Sequence, residues 1–128
     1  DHVHQEISFD AAPAKIYEVL TNSSTFRKMS GDLAAEIDAP AGGAFSCYDG
    51  LIVGINVECI PGERLVQTWR GKFWDPGVFS IVRIDVTPDG SRTRLVYDQA
   101  GVPLDHADHI LNDWERNYWE PIRAMLAD

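Results

Sequence analysis

Cysteine is scarce in this 128-residue chain, cations are outnumbered, and no long apolar run occurs. The two cysteines, Cys47 and Cys59, are too far apart to bridge. Asp49-Gly50 reads as a hairpin turn that pairs Cys47 with Ile52, and Cys59 lies seven residues further along that strand. At about 3.3 Å per residue the separation is roughly 23 Å, against the ~7 Å between Cα atoms that a disulfide tolerates. Two free thiols point to a reducing compartment, and a cytoplasmic location is expected. Eleven Lys and Arg against twenty Asp and Glu leave a net charge of −9, which repels a phosphate backbone and argues against nucleic acid as a partner. The acidity itself is ordinary solubilising charge. The most apolar stretch, residues 51–57, is interrupted by Gly54 and Asn56 and falls far short of the roughly 20 residues needed to span a bilayer. The chain opens on Asp1 rather than Met, which suggests trimmed or renumbered first residues and leaves targeting open. No Gly-rich loop leads from a strand into a helix with a Lys following, so ATP binding is not expected. Neither a Gly-x-Ser-x-Gly elbow nor a cysteine in a catalytic context is found, so covalent catalysis has no support.

What remains is a composition of 45% hydrophobic and 24% charged residues, that of one ordinary globular domain over residues 1–128. Residues 2–9 alternate imperfectly as a first strand. Asp10 as a cap and Pro13 in a first turn begin a helical stretch with Ile16, Tyr17 and Leu20 on one face. Asn22, Ser23 and Ser24 interrupt it before Phe26 and Met29 resume, so two short helices fit better than one. From residue 33 to 101, tight turns separate β-rich runs at 33–37, 44–48, 51–60, 64–70, 78–87 and 93–100. Connections this short can join only antiparallel neighbours.

Residues 105–126 return to helical spacing. Ala107, Ile110, Leu111, Trp114, Tyr118, Ile122 and Met125 fall within an arc of roughly 120°, with Trp119 near the edge of that stripe. Pro121 cannot donate to the carbonyl of Asn117, so a kink or loosened turn is expected there. A long helix with inward aromatics needs an apolar surface of matching length, and one face of the sheet is the natural partner.

The words APAKIYEVLTNSSTFRKMSG, FSCYDGLIVGINVECIPGERLVQTWR, WDPGVFSIVRIDVTPDGSRTRLVYDQAGVP and DWERNYWEPIRAML, in this order, resemble the family related to the activator of the heat-shock-protein-90 ATPase. That family lies within the START-like (SRPBCC) superfamily. The resemblance implies an α+β helix-grip fold, like that of the birch-pollen-allergen group, in which a curved antiparallel sheet wraps around a long C-terminal helix, with two short helices after the first strand. Met29 stands where such sequences often have Trp, and Gln99 where the last strand often ends in His or Glu. The fold serves carriers, cyclases, hydrolases and co-chaperones, so it does not name an activity.

Several residue patterns compete as sites. His106 and His109 at i and i+3 suit a shared metal, but no third ligand is evident and Asp105 and Asp108 fit a helix first turn. No metal or cofactor is therefore expected. His2 and His4 share a face of a terminal strand, where a disordered end is the ordinary explanation. Asp49, Glu58, Asp85 and Asp98 could each face solvent, so no acid and base pair is assigned. Leu95, Tyr97 and Gln99 are expected to point inward along the last strand. The faces of the preceding strands stay open. If Val53, Ile55, Val57, Cys59 and Val66 pack on the helix, Trp69 sits on the outer sheet face and marks a subunit contact.

The aromatics fit either a plain core or the walls of a cavity of several hundred Å3. The expectation adopted is a small-molecule pocket between the sheet and the last helix, for a small apolar or aromatic molecule. Met29, Phe79, Ile110, Trp114 and Tyr118 are its walls, Trp69 and Trp74 border it, and Tyr97 and Gln99 are polar contacts. An enzyme of the polyketide cyclase or hydrolase kind and a chaperone-associated adaptor using the outer sheet face are the alternatives. Homodimerisation is left open.

Overall fold

The computed structural model describes residues 1–127. Strand β1 (Val3–Phe9) leads into helices α1 (Pro13–Thr21) and α2 (Ser23–Met29). Pro13 stands in the first turn of α1, where its missing N–H costs nothing. The capping position is Ala12 rather than Asp10, and it brings no side-chain bond. Asn22 separates the two helices, and its Oδ1 accepts from the Thr25 amide at 2.9 Å.

Strands β2 (Glu36–Ile37), β3 (Ala44–Cys47), β4 (Ile52–Ile60), β5 (Arg64–Gly71), β6 (Ser80–Asp89) and β7 (Arg92–Ala100) follow. With β1 returning to pair with β7, they form one seven-stranded antiparallel sheet in the order β1-β7-β6-β5-β4-β3-β2. The hairpin register expected at Asp49-Gly50 holds, with Cys47 opposite Ile52. Both cysteines are free. The strand expected over 33–37 shortens to two residues, because Ala34 instead brackets the hairpin turn. Its amide donates to Asp49 Oδ1 at 2.7 Å, and its carbonyl accepts from the Asp49 amide at 3.0 Å. These bonds hold Asp49 at φ 57, so its carboxylate has a structural task.

The inner sheet face is buried along β7 (Thr93, Leu95, Tyr97, Gln99) and β6 (Ser80, Val82, Ile84, Val86). On β4 and β5 the inward residues are Ile52, Asn56, Leu65, Gln67 and Trp69. Ile55 and Val57 face outward, 42% and 51% exposed. The continuous apolar set is thus divided between faces, and Trp69 is not a surface residue. The reason is a β-bulge between Asn56 and Glu58, which shifts the strand by one residue and turns Cys59 toward Leu65's side. Asn56 can be buried because both its amide oxygen and its amide nitrogen have partners. Its Oδ1 accepts from Gln67 Nε2 at 3.0 Å and its Nδ2 donates to the Asp38 carbonyl at 3.1 Å.

The C-terminal segment is not one uninterrupted helix. A short α3 (Leu104–Ala107) precedes α4 (Ile110–Trp114), which runs through a π-helical turn (Glu115–Trp119) into α5 (Glu120–Leu126). His109, with φ −124, breaks the helix before α4. The loosened turn expected from Pro121 takes the form of the π turn. The Asn117 carbonyl, which Pro121 cannot serve, accepts from the Tyr48 hydroxyl instead. The wider turn also changes the helical phase, so Trp114, Tyr118 and Trp119 all face the sheet, at 1%, 6% and 0% exposure. Trp119 therefore leaves the edge of the stripe for its centre. Its Nε1 donates to Gln5 Oε1 at 3.2 Å.

Candidate functional site

Most of the space between sheet and helix is filled. Trp114 stacks on Tyr118 with centroids 3.9 Å apart, lies 5.3 Å from Trp119, and meets Tyr97 at 4.8 Å. Gln99 organises the polar atoms of this layer. Its Oε1 accepts from the Tyr97 hydroxyl and from Trp114 Nε1 at 3.0 Å, and its Nε2 donates to Ser80 Oγ at 2.7 Å. Ser80 in turn donates to the Trp69 carbonyl at 2.8 Å. Burial pushes the Tyr97 and Tyr118 phenols well above their ordinary pKa, so both stay neutral.

At one end this packing stops, leaving a cavity of about 240 Å3. Ile52 and Trp69 form its sheet side, and Ile110, Trp114 and Tyr118 its helix side. Tyr48 and Leu51 close it from the β3–β4 turn, Phe73 and Trp74 from the β5–β6 loop, and His106 and His109 from the segment around α3. Arg70 holds the β5–β6 loop in place. Its Nη2 donates to the carbonyls of Trp74 and Asp75 at 2.8 and 3.3 Å, and its Nε to that of Val78 at 3.1 Å. Trp74, 4% exposed, thereby tilts against Trp69 at 5.7 Å and stacks with His106 at 5.8 Å.

The polar atoms here are treated differently from those around Gln99. Among the described residues, three buried side-chain atoms have no hydrogen-bond partner: Tyr17 Oη, Trp74 Nε1 and His106 Nδ1. Two of the three belong to residues that line this cavity. His106 Nε2 faces Asp105 at 3.8 Å, and His109 Nδ1 faces Asp113 at 3.3 Å. His106 and His109 meet edge to face, 5.7 Å apart. No group of three metal-ligating side chains converges among the described residues.

A wider groove of about 480 Å3 lies on the other side of the molecule's core, between α1 and the β4–β5 turn, with Tyr17 and Cys59 among its walls. Burial pushes Tyr17 up to about 12 and also raises Cys59, so neither is an activated nucleophile. Cys47 is pushed up to about 12 for the same reason.

Of the expected site residues, Trp69, Trp74, Ile110, Trp114 and Tyr118 meet around the cavity. Tyr97 and Gln99 are fully buried behind it, and the Tyr97 hydroxyl and the Gln99 amide are bonded within the protein, to each other, to Ser80 and to Trp114. Met29 is buried in α2 and approaches the Tyr48 hydroxyl at 3.9 Å instead of forming a wall. Phe79 is 47% exposed and packs beneath the Arg70 guanidinium at 5.6 Å, because it precedes β6 at the loop's outer edge. Tyr48, Phe73 and Arg70 went unassigned in the sequence. Their roles depend on loops, which carry no periodicity to read.

The fold and site can be set beside known proteins. An "Activator of 90 kDa heat shock protein ATPase homolog" from Dictyostelium discoideum is 35% identical over 121 residues, which are 93% of this chain and 31% of that protein. The chain spans about a third of the length of the curated relatives it matches. The crystal structure of an HSP90 activator from Plasmodium falciparum superposes with a TM-score of 0.91 at 21% identity, covering 98% of this chain and 96% of that one. The solution structure of the Aha1 dimer from Colwellia psychrerythraea gives 0.79 at 14% identity, with coverage of 94% and 92%. These structures share the helix-grip fold. A model of the family described as "Activator of Hsp90 ATPase homolog 1-like protein" matches residues 10–127, and the chain belongs to that family.

Proposed function

We propose that this protein binds a small, mostly apolar molecule in the cavity at the open end of the grip. The observation that carries this reading is a space of about 240 Å3 walled by Trp69, Trp74, Ile110, Trp114 and Tyr118. A recess of this size with mostly apolar and aromatic walls and a few polar groups has the form that small-molecule sites take. The volume lies just under the ~300 Å3 at which ligand sites usually begin, so the guest is about one or two rings in size. Among the described residues no Ser, Thr or Cys lines the cavity and no group of three metal-ligating side chains forms, which favours binding over covalent chemistry. Mass spectrometry of compounds extracted from natively purified protein tests the proposal. A stoichiometric small apolar compound is the expected result. An empty extract, together with no binding of one-ring and two-ring aromatics at millimolar concentration, overturns it.

A second reading is supported by the outer sheet face. Ile55, Thr68 and Ile81 stand in register across β4, β5 and β6, and Ile55 and Ile81 are 42% and 46% exposed. Such a strip suits a protein partner, and the family's name suggests a 90-kDa heat-shock protein. Calorimetry with that purified chaperone, repeated with Ile55→Asp/Ile81→Asp, is the test. Binding by the parent chain that the double variant loses supports this reading, and no heat from either argues against it.

A further inference from the structure

The sheet ends differently on its two sides. On one side the last strand, β2, is only two residues long. On the other, β1 runs seven residues, Val3–Phe9, and pairs with β7 alone among the described residues. Sheet edges are usually blunted by brevity, a lysine, a proline or a bulge, because an open row of backbone N–H and C=O groups is a template for another strand. Brevity blunts β2. β1 carries no lysine and no proline, and its register against β7 is unbroken.

Bonding parity shows which backbone groups lie along that open edge. Asp89 and Arg92 close the two-residue turn between β6 and β7, so they exchange hydrogen bonds, and the even-numbered residues of β7 bond to β6. Its odd-numbered residues then bond to β1, where their partners are Val3, Gln5, Ile7 and Phe9. Asp1 has the same parity. Its amine donates to the Val102 carbonyl at 2.9 Å and its carbonyl accepts from the Val102 amide at 3.1 Å. The backbone groups of His4, Glu6 and Ser8 therefore point away from the sheet, and all three residues are exposed.

This edge is complementary to itself. Antiparallel pairing about a two-fold axis at Gln5 sets each His4 opposite Glu6 of a second copy, and Val3 opposite Ile7 on the inner face. His4 and Glu6 are hydrogen-bonding positions in that register, so each pair closes two backbone bonds. Opposite charges across such a pair are stabilising and like charges are not. Moving the axis to Glu6 opposes two carboxylates, and moving it to His4 opposes two imidazoles. The outer face here carries His2, His4 and Arg94 beside Glu6 and Asp98, so the chain's net charge of −9 is not concentrated along this edge.

We propose that β1 pairs antiparallel with β1 of a second copy about a two-fold axis at Gln5, joining the two sheets into one, with His4 facing Glu6 of the second copy across the junction. Strand addition of this kind covers little side-chain area, so a weak dimer is expected, with a Kd of about 10–100 µM. The proposal does not depend on the cavity. The full chain is followed by sedimentation velocity and by amide hydrogen exchange, at concentrations well below and well above that Kd. A mildly acidic pH keeps His4 charged, since its bonds to Asp98 and Glu6 raise its pKa. A monomer that becomes a dimer is expected, with exchange of the His4, Glu6 and Ser8 amides slowed about tenfold on pairing. The Gln5 and Ile7 amides, already turned toward β7, should change little. His4→Glu sets two carboxylates against each other and should weaken the dimer about tenfold, and His4→Glu/Glu6→His restores the opposed charges and should recover most of that loss. A chain that stays monomeric, with no concentration-dependent protection, overturns the proposal. So does a dimer whose new protection lies away from the even-numbered amides of β1. Affinity that ignores His4→Glu, or that the exchanged pair does not recover, overturns the register at Gln5. Protection that arises only with an added extended peptide, while the chain itself stays monomeric, overturns self-pairing in favour of a foreign strand. The exchange measurement needs only the parent chain, so a variant that fails to fold leaves the test standing.

Discussion

The two ends of the space between sheet and helix are built from the same residue types and finished differently. At the packed end Tyr97, Trp114 and Trp119 are essentially fully buried and each polar atom is claimed, by Gln99 or by Gln5. At the open end Trp74 is buried and His106 half-buried, and their Nε1 and Nδ1 atoms have no partners, in residues that line a cavity of about 240 Å3. Aromatic content therefore does not separate the filled end from the unfilled one. Completion of hydrogen bonds does differ between them, and an unsatisfied buried donor or acceptor costs about 1–3 kcal/mol.

That contrast can be broken by mutation. Trp119→Ala empties the closed end and should cost about 3–5 kcal/mol, read as a fall in the urea midpoint with an unchanged slope. Gln99→Leu keeps the volume but orphans Trp114 Nε1 and the Tyr97 hydroxyl, while Ser80 Oγ keeps its bond to the Trp69 carbonyl, so a loss of ~2–4 kcal/mol is expected. Trp74→Phe should change stability by no more than about 1 kcal/mol, since the smaller ring is offset by removal of an unsatisfied donor. A Trp74→Phe loss as large as that of Gln99→Leu would mean that both ends are ordinary core.

The smallest effect lies outside this space, on the exposed face of β1 and β7. His4 Nδ1 meets Asp98 Oδ1 at 2.7 Å and its Nε2 meets Glu6 at 3.1 Å. The hydrogen bond to Asp98, then that to Glu6, holds the His4 pKa above its ordinary 6.5. For Asp98, burial opposes ionisation, but the bonds from His4 and His2 outweigh it and its pKa is lowered. A raised histidine pKa means stability that is complete below the unfolded value of 6.5 and lost as pH rises through the folded one. The denaturation midpoint should accordingly decline slightly as pH climbs from about 6 to 8, and His4→Gln should flatten that part of the decline. Neither half of the sheet–helix interior should respond.

Much of the architecture was legible from local signals. The Cys47–Ile52 register followed from the Asp-Gly turn, and the inward set Leu95, Tyr97 and Gln99 followed from strand alternation. The face of β4 was not legible, because the Asn56–Gln67 pair that lets two amides turn inward joins two strands, and the bulge at Val57 reverses the alternation midway. Trp119 was misplaced for a comparable reason. The helical wheel assumes 100° per residue, and the π turn departs from it when Tyr48 takes the Asn117 carbonyl. Phe79 and Met29 have the hydrophobicity of wall residues, but a loop edge and a neighbouring helix place them elsewhere.

Sequence alone determined the order of elements, their antiparallel pairing and the burial of the last strand and helix, since turn chemistry and side-chain period act over a few residues. Tertiary structure decided which aromatics close the core and which border a void. A cavity is the volume left after several distant elements have packed, and a missing hydrogen-bond partner becomes visible only when all of them are in place.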